Sequence, residues 1–169
     1  MWACKVDLKH TYFHLGLAQA LRPFVRLNVG EKIFEFQAAC FGLNQLTQLW
    51  MSVMKVFQKL CRQRGILCFI YLDDILVVGQ TFHPTQSSIR FVLETLEASG
   101  MVVNKAKSTL VPCHSVQHLG FHINFQVGTL QVPPEKLKSV RGELGKVVTH
   151  PLLLSCRMMA ATLAKSEVI

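Results

Sequence analysis

Acidic residues are scarce in this chain of 169 residues. Ten Asp and Glu stand against 18 Lys and Arg, a formal charge of +8. Charge of either sign is sparse too, at 17% of residues, while half are hydrophobic, which excludes disorder for the body of the chain. A long apolar run is also missing. The longest uncharged stretch, Phe36 to Met54, is broken by Gln37, Asn44, Gln45, Thr47, Gln48 and Ser52 and is too polar for a spanning helix. Lys5, Asp7 and Lys9 stand where a signal peptide needs an apolar core, so a secreted or membrane protein is not expected. The six cysteines form no CxxC pair and no dense framework, which favours a reducing, intracellular compartment, cytoplasmic or nuclear. Cys113, His114, His118 and His122 match the spacing of no common zinc module and read as isolated side chains.

What is present is a basic, apolar-rich chain with a mean hydropathy of +0.32. The length suits one compact domain, and no repeat, low-complexity tract or linker divides it. The combination of charge and hydropathy implies an anionic partner, apolar surface that has lost its covering, or both.

Short apolar runs at Val6 to Leu8, Ile66 to Leu72, Ile75 to Val78, Met101 to Val103 and Gln117 to Ile123 predict strands. Alternation from Phe24 to Phe36 around Asn28-Val29-Gly30 predicts a hairpin. Leu46, Leu49, Trp50, Val53, Met54, Phe57 and Leu60 fall at helical spacing, with Asn44 as the expected N-cap and Arg62, Arg64 and Gly65 as the stop. A second helix is expected from Pro84 to Gly100, with Ile89, Val92, Leu93 and Leu96 inward. Val127-Gly128 marks a turn, and past Pro133-Pro134 two helical patterns follow, Glu135 to Val148 and Ser155 to Lys165. Up to about residue 111 the order is strand, helix, strand–strand, helix, strand. That order predicts an α+β, ferredoxin-like split βαβ sandwich, a sheet backed by two helices.

The segment ILCFIYLDDILVVG, Ile66 to Gly79, places two adjacent carboxylates inside an apolar run, with the acids expected at the hairpin tip. Asp-Asp is not a preferred two-residue turn, and two neighbouring anions repel unless a cation neutralises them. A turn and a metal site both remain open on this segment alone. Asp7 ends the first strand, which in a ferredoxin-like sheet lies beside the hairpin, so Asp7 and Asp73 are expected to converge. Hard carboxylate oxygens suit Mg²⁺, and two such ions stabilise both oxygens of an in-line phosphoryl displacement. Basic side chains around an acidic metal cluster are the charge plan expected of a nucleic-acid polymerase.

Five motifs in order carry a family resemblance. VDLKHTYFHL (Val6 to Leu15) resembles the first palm motif of reverse transcriptases, and CFGLNQLTQLW (Cys40 to Trp50) their second, usually FGLxxAPxxF. Tyr71-Leu72-Asp73-Asp74 matches their YxDD box. VNKAKS (Val103 to Ser108) is similar to the fourth motif, and HLGFHIN (His118 to Asn124) to the primer-grip hairpin. The likeness is to retrotransposons, of the long-terminal-repeat or DIRS type, more than to infectious retroviruses.

The resemblance implies a polymerase palm over 1–124, with a partial fingers hairpin at about 18–40 and a primer grip from about 117. Residues 125–169 would hold the end of that grip and the start of a helical thumb. It implies RNA-directed DNA polymerase chemistry: two-metal transfer of a dNTP onto a primer 3′-hydroxyl, with two Mg²⁺ as cofactor and Mn²⁺ as the alternative ion. Asp7 and Asp73 would bind the two metals, with Asp74 nearby as a supporting carboxylate of the same metal-binding and catalytic set, and Lys107 would act at the leaving pyrophosphate. Tyr12, Phe41, Gly42, Tyr71 and Leu72 would contact the incoming nucleotide, Tyr12 by excluding a 2′-hydroxyl. Leu119, Gly120 and Phe121 would hold the primer end, and Arg22 and Arg26 the template–primer backbone. The implied partners are an RNA or DNA template–primer, dNTP, and the fingers, thumb and RNase H regions of a parent polyprotein.

The chain departs from the pattern at His10, Gly16, Cys40, Leu46-Thr47 and Trp50. Thr47 replaces a helix-opening Pro, and Leu46 and Trp50 are larger than the usual Ala and Phe. These changes are expected to displace the site while leaving its carboxylates in place. With the first motif so near Met1 and the thumb cut short, the isolated chain is expected to be poorly soluble and weakly active or inactive. A second reading is a catalytically inactive nucleic-acid-binding relic of a retrotransposon. RNase H activity is not expected, because no separate acidic cluster for that nuclease is present.

Overall fold

The computed structural model of the protein describes residues 1–149, which fall into two units divided between Val116 and Gln117. In the first unit, β1 (Trp2–Asp7), β4 (Leu67–Tyr71), β5 (Asp74–Gly79) and β6 (Thr109–Cys113) form a four-stranded sheet in the order β4-β5-β1-β6. Each neighbouring pair is antiparallel. This is the split βαβ arrangement expected from the sequence, with the last strand beside the first. β1 is longer than its apolar signal because its register with β5 runs from Trp2 opposite Gly79 to Asp7 opposite Asp74.

Two helices cover the sheet: α1 (Leu46–Gln63) and α2 (Phe82–Ala98). α1 buries Leu46, Trp50, Met54, Phe57 and Cys61, and α2 buries Thr85, Ile89, Val92 and Leu96. All of these but Leu46 and Thr85 join Cys4, Val6, Leu8, Cys68, Ile75 and Val77 in one apolar cluster. The stripe predicted for α1 is wider than the one the sheet covers. Leu49 and Leu60 are exposed, and Val53 is half-buried beside a cavity between the helices. The helix is also capped one residue later than expected. The Leu46 N–H closes a turn onto the Leu43 carbonyl at 3.2 Å, so Gln45 rather than Asn44 stands at the N-cap.

Two strand expectations change. Met101 to Val103 contributes only an isolated bridge, Leu8 to Val103, and the fourth strand is Thr109–Cys113 instead. Pro112 argues against a strand because it lacks an N–H, but β6 is the sheet edge, where that loss is tolerated. The run from Gln117 to Ile123 is broken into β7 (Ser115–His118) and β8 (Phe121–Asn124) by Leu119 (φ 49°) and Gly120 (φ 79°).

A hairpin of β2 (Arg26–Val29) and β3 (Lys32–Glu35) turns at Gly30, close to its predicted place. A three-stranded sheet runs in the order β7-β8-β9, β9 being Thr129–Gln131. Asn124 Oδ1 accepts the N–H groups of Gln126 and Val127 at 3.0 and 3.2 Å and so shapes the turn between β8 and β9. α3 (Pro134–Thr149) opens on a proline, whose missing N–H has no helical partner to lose at that position. The second helical pattern, from Ser155 to Lys165, lies outside the described residues. Among the described residues no helix is long and apolar enough to cross a membrane.

Three core thiols, Cys4, Cys61 and Cys68, are almost wholly buried. Burial, with Cys113 nearby, pushes the Cys4 thiol up to about 12. Cys61 is also raised, first by its hydrogen bond with the Cys68 thiol and then by burial. A raised thiol keeps its proton when folded after the unfolded chain has lost it. The Cys4 contribution is therefore complete below about pH 9 and is lost as pH climbs toward 12. Between pH 9 and 10.5 wild type should lose about 2 kcal/mol more than Cys4→Ala, by linkage at one proton per molecule. Urea unfolding of both proteins at the two pH values reads that difference, and equal slopes would refute it.

Candidate active site

The carboxylate end of the sheet is assembled by backbone contacts from three distant segments. Asp7 closes β1, and its N–H donates to Ser108 Oγ at 3.0 Å. Its carbonyl accepts the Asn104 N–H at 2.8 Å, while Ser108 Oγ also donates to the Asn104 carbonyl at 2.7 Å. The turn from Asn104 to Ser108 thus clasps Asp7 on both sides. The neighbouring Leu8 N–H donates to the Asp73 carbonyl at 2.9 Å and ties the end of β1 to the hairpin between β4 and β5.

That hairpin has a different tip from the expected one. Asp74 is the first residue of β5 and pairs with Tyr71, so the two-residue loop is Leu72-Asp73. Pairing wins because the strand ladder extends through Asp74, which also faces Asp7 across β1. Leu72 sits at φ 52°, a left-handed conformation that costs a branched residue roughly 1–3 kcal/mol and gathers at functional sites. Its carbonyl is held by the indole of Trp50, whose Nε1 donates to it at 2.9 Å from a wholly buried position.

Asp7 and Asp73 line one cavity of about 410 Å³ together with Lys9, His10, Thr11, Phe41, Asn104 and Lys107. Asp7 is 9% exposed and Asp73 half-buried, and neither carboxylate has a hydrogen bond or ion pair among the described residues. Asp74 does not line this cavity. Its Oδ1 lies 2.9 Å from Lys5 Nζ, an ion pair whose angles do not make a hydrogen bond. Accordingly, no three His, Cys, Asp or Glu side chains converge among the described residues. A cavity of about 650 Å³ between α1 and α2 is lined by Trp50, Val53 and Leu60 together with His14, Lys59 and Gln63, and by no carboxylate, so it offers no pair of hard oxygen ligands.

Tyr12 stands beside the site, its ring edge-on to Phe41 with centroids 5.3 Å apart. Its hydroxyl shares a 3.1 Å hydrogen bond with Thr47 Oγ1. Phe41 is 73% exposed, and Gly42 follows at φ 99°, where any side chain would be strained although no protein atom would block it. Tyr71 is exposed at the end of β4. Arg22 and Arg26 do not line this cavity, Arg22 Nε donating to the Leu17 carbonyl and Arg26 Nε to Glu35 Oε2 across the β2–β3 hairpin. In the second unit, Leu119 and Gly120 form the turn before β8, which opens on Phe121.

Several residues here had no functional reading in the sequence. Asn104 and Ser108 lie in a motif from which only Lys107 stood out, because a backbone clasp leaves no signature of charge. Thr47 read as a departure that would shift the helix start and Trp50 as one that would crowd the site, yet each makes a hydrogen bond to a site residue. Lys5 and Lys9 read only as charges unsuited to a signal peptide.

A split βαβ sheet backed by two helices, carrying carboxylates at the meeting point of its central strands, defines a nucleic-acid polymerase palm. Residues 1–123 match the family described as reverse transcriptase (RNA-dependent DNA polymerase), and the chain belongs to that family. It is 28% identical over 136 residues to the retrovirus-related Pol polyprotein from transposon gypsy of Drosophila melanogaster, covering 80% of this chain and 13% of that one. It is 26% identical over 125 residues to the enzymatic polyprotein of soybean chlorotic mottle virus, covering 73% of this chain and 18% of the relative. The chain therefore spans less than a fifth of either polyprotein. Its fold is similar to the foamy viral protease–reverse transcriptase in complex with dsDNA, with a TM-score of 0.78 at 18% identity, covering 98% of this chain and 32% of that one. The same foamy viral protein in complex with an RNA/DNA hybrid gives 0.74 at 17% identity, covering 97% and 20%.

Proposed function

We propose that this chain is the palm of an RNA-directed DNA polymerase from a retroelement polyprotein, extending a primer 3′-hydroxyl with dNTPs on an RNA or DNA template. The observation that carries the reading is the pair of unpartnered carboxylates, Asp7 and Asp73, on a cavity that Lys9 and Lys107 also line. Their hard oxygens fit Mg²⁺, which takes one or two carboxylates and completes its shell with water and substrate phosphates. When bound there, such ions supply charge neutralisation at the attacking and leaving oxygens.

The chain's own groups do the rest. Asp7 and Asp73 hold the ions, with their backbones fixed by Ser108, Asn104 and Leu8. Lys9 and Lys107 face the triphosphate, and Lys107 delivers a proton or a charge to the leaving pyrophosphate. Tyr12, braced by Thr47 and Phe41, lies under the sugar and rejects a 2′-hydroxyl. The +8 charge supports a polyanionic template–primer as partner.

Primer extension on an RNA template with Mg²⁺ or Mn²⁺, run beside Asp73→Ala, tests the reading. Weak extension by wild type, above an enzyme-free control, and none by the variant is the expected result. No extension by either protein, with hybrid binding intact, would assign the chain to a non-catalytic nucleic-acid-binding relic.

A further inference from the structure

We propose that Lys5 is a built-in counter-ion that keeps Asp74 out of the metal shell, leaving Asp7 and Asp73 as the carboxylate ligands among the described residues. The inference rests on the metal reading given above and concerns how this chain divides its three acids. Lys5 and Asp7 are two residues apart on β1 and share one face of the sheet. The register sets Asp74 directly opposite Asp7 and Leu76 opposite Lys5, so Asp74 lies on the diagonal from Lys5. Like charges directly opposed across two strands destabilise a sheet, and Asp7 with Asp74 is such a pair.

Lys5 answers that repulsion at short range, with 2.9 Å between Nζ and Oδ1. Its side chain is 16% exposed and that of Asp74 18%, so both have given up most of their hydration for each other. The other ion pair among the described residues, Arg26 with Glu35, lies on an open hairpin with side chains 52% and 39% exposed. The three carboxylates therefore stand in two different states. Asp74 already has a cation beside it, whereas Asp7 and Asp73 face the cavity without one. The charges that line the cavity with them, Lys9 and Lys107, are both exposed. A divalent ion therefore meets two available carboxylates, and ligation by Asp74 would require the lysine to give it up. Lys5 is a positioning residue in this scheme, acting only through Asp74.

The test is Mn²⁺ binding to the whole chain, read as free Mn²⁺ by electron paramagnetic resonance and independent of polymerase activity. Asp73→Asn should weaken binding at least about tenfold, whereas Lys5→Met/Asp74→Asn, which removes both charges of the pair together, should change it less than about twofold. Lys5→Met should tighten binding about fivefold by freeing Asp74. That gain should vanish in the double variant Lys5→Met/Asp74→Asn, while Lys5→Arg should behave as wild type. Lys5→Met/Asp74→Asn weakening Mn²⁺ binding as much as Asp73→Asn would overturn the proposal with the metal reading intact. Asp73→Asn without effect would overturn the metal reading and this inference with it. Should Lys5→Met fail to fold, Lys5→Gln, alone and with Asp74→Asn, makes the same comparison.

Discussion

Asp73→Asn is expected to take primer extension to background and to remove divalent-ion binding, while leaving the fold as stable as wild type or slightly more so. Asp73 sits in a two-residue loop, half-buried, with no side-chain partner among the described residues, so the amide breaks no contact. The loss falls on the charge that would hold a metal at the reacting phosphate. Several kcal/mol of transition-state stabilisation come from such an ion, and about 4 kcal/mol corresponds to a rate loss of roughly 10³-fold. Asp7→Asn should lose activity to the same degree, and its stability should not fall, because the amide faces Asp74 without repulsion. Urea unfolding and Mn²⁺ titration of the same preparations separate the two effects. An Asp73→Asn protein that binds Mn²⁺ like wild type would refute the assignment.

Trp50→Ala should cost the fold more than any surface change. The side chain is wholly buried among Val6, Met54 and Ile75, and truncating a buried Trp costs about 3–5 kcal/mol. The change also strips the Leu72 carbonyl of its donor, a further ~1–3 kcal/mol for a polar group left without its partner. Against a typical domain stability of roughly 5–15 kcal/mol, this variant should be largely or wholly unfolded at room temperature. Trp50→Phe restores the residue usual in the family's second motif and keeps one aromatic ring, so the hydrogen bond and part of the packing volume are lost. It should fold, with a Tm lower by about 2–4 °C for each kcal/mol, and with a looser turn at Asp73. Thermal unfolding of the two variants checks the ranking. Equal Tm values for Trp50→Phe and wild type would mean that the indole N–H contributes nothing.

The two predictions share a cause. Asp73 is presented by a turn that Leu72 makes at an unfavourable φ, and the core tryptophan holds that turn from behind. Stability of the core and geometry of the carboxylate are thus coupled through one carbonyl.

The amino-acid sequence by itself determined the order of elements and with it the split βαβ sheet, because apolar periodicity and turn residues are local signals. It also singled out Asp7 and Asp73, since carboxylates in apolar runs are conspicuous whatever surrounds them. It marked Tyr12, Phe41 and Lys107 only through a resemblance of motifs, and the structure lines Phe41 and Lys107 on the same cavity as the acids. Register was beyond its reach. Whether Asp74 belonged to the tip or to β5 depended on pairing with β1, a contact between residues far apart in the chain. The same pairing put Lys5 within reach of Asp74 and left Asp7 and Asp73 uncompensated. The edge strand containing Pro112, the clasp of Asn104 and Ser108 on Asp7, and the reach of Trp50 to Leu72 were likewise decided by tertiary structure. Each is a hydrogen bond or ion pair between distant segments. Local propensity carries no information about such partners, which is why the pairing of Asp74 with Lys5 appeared only in the fold.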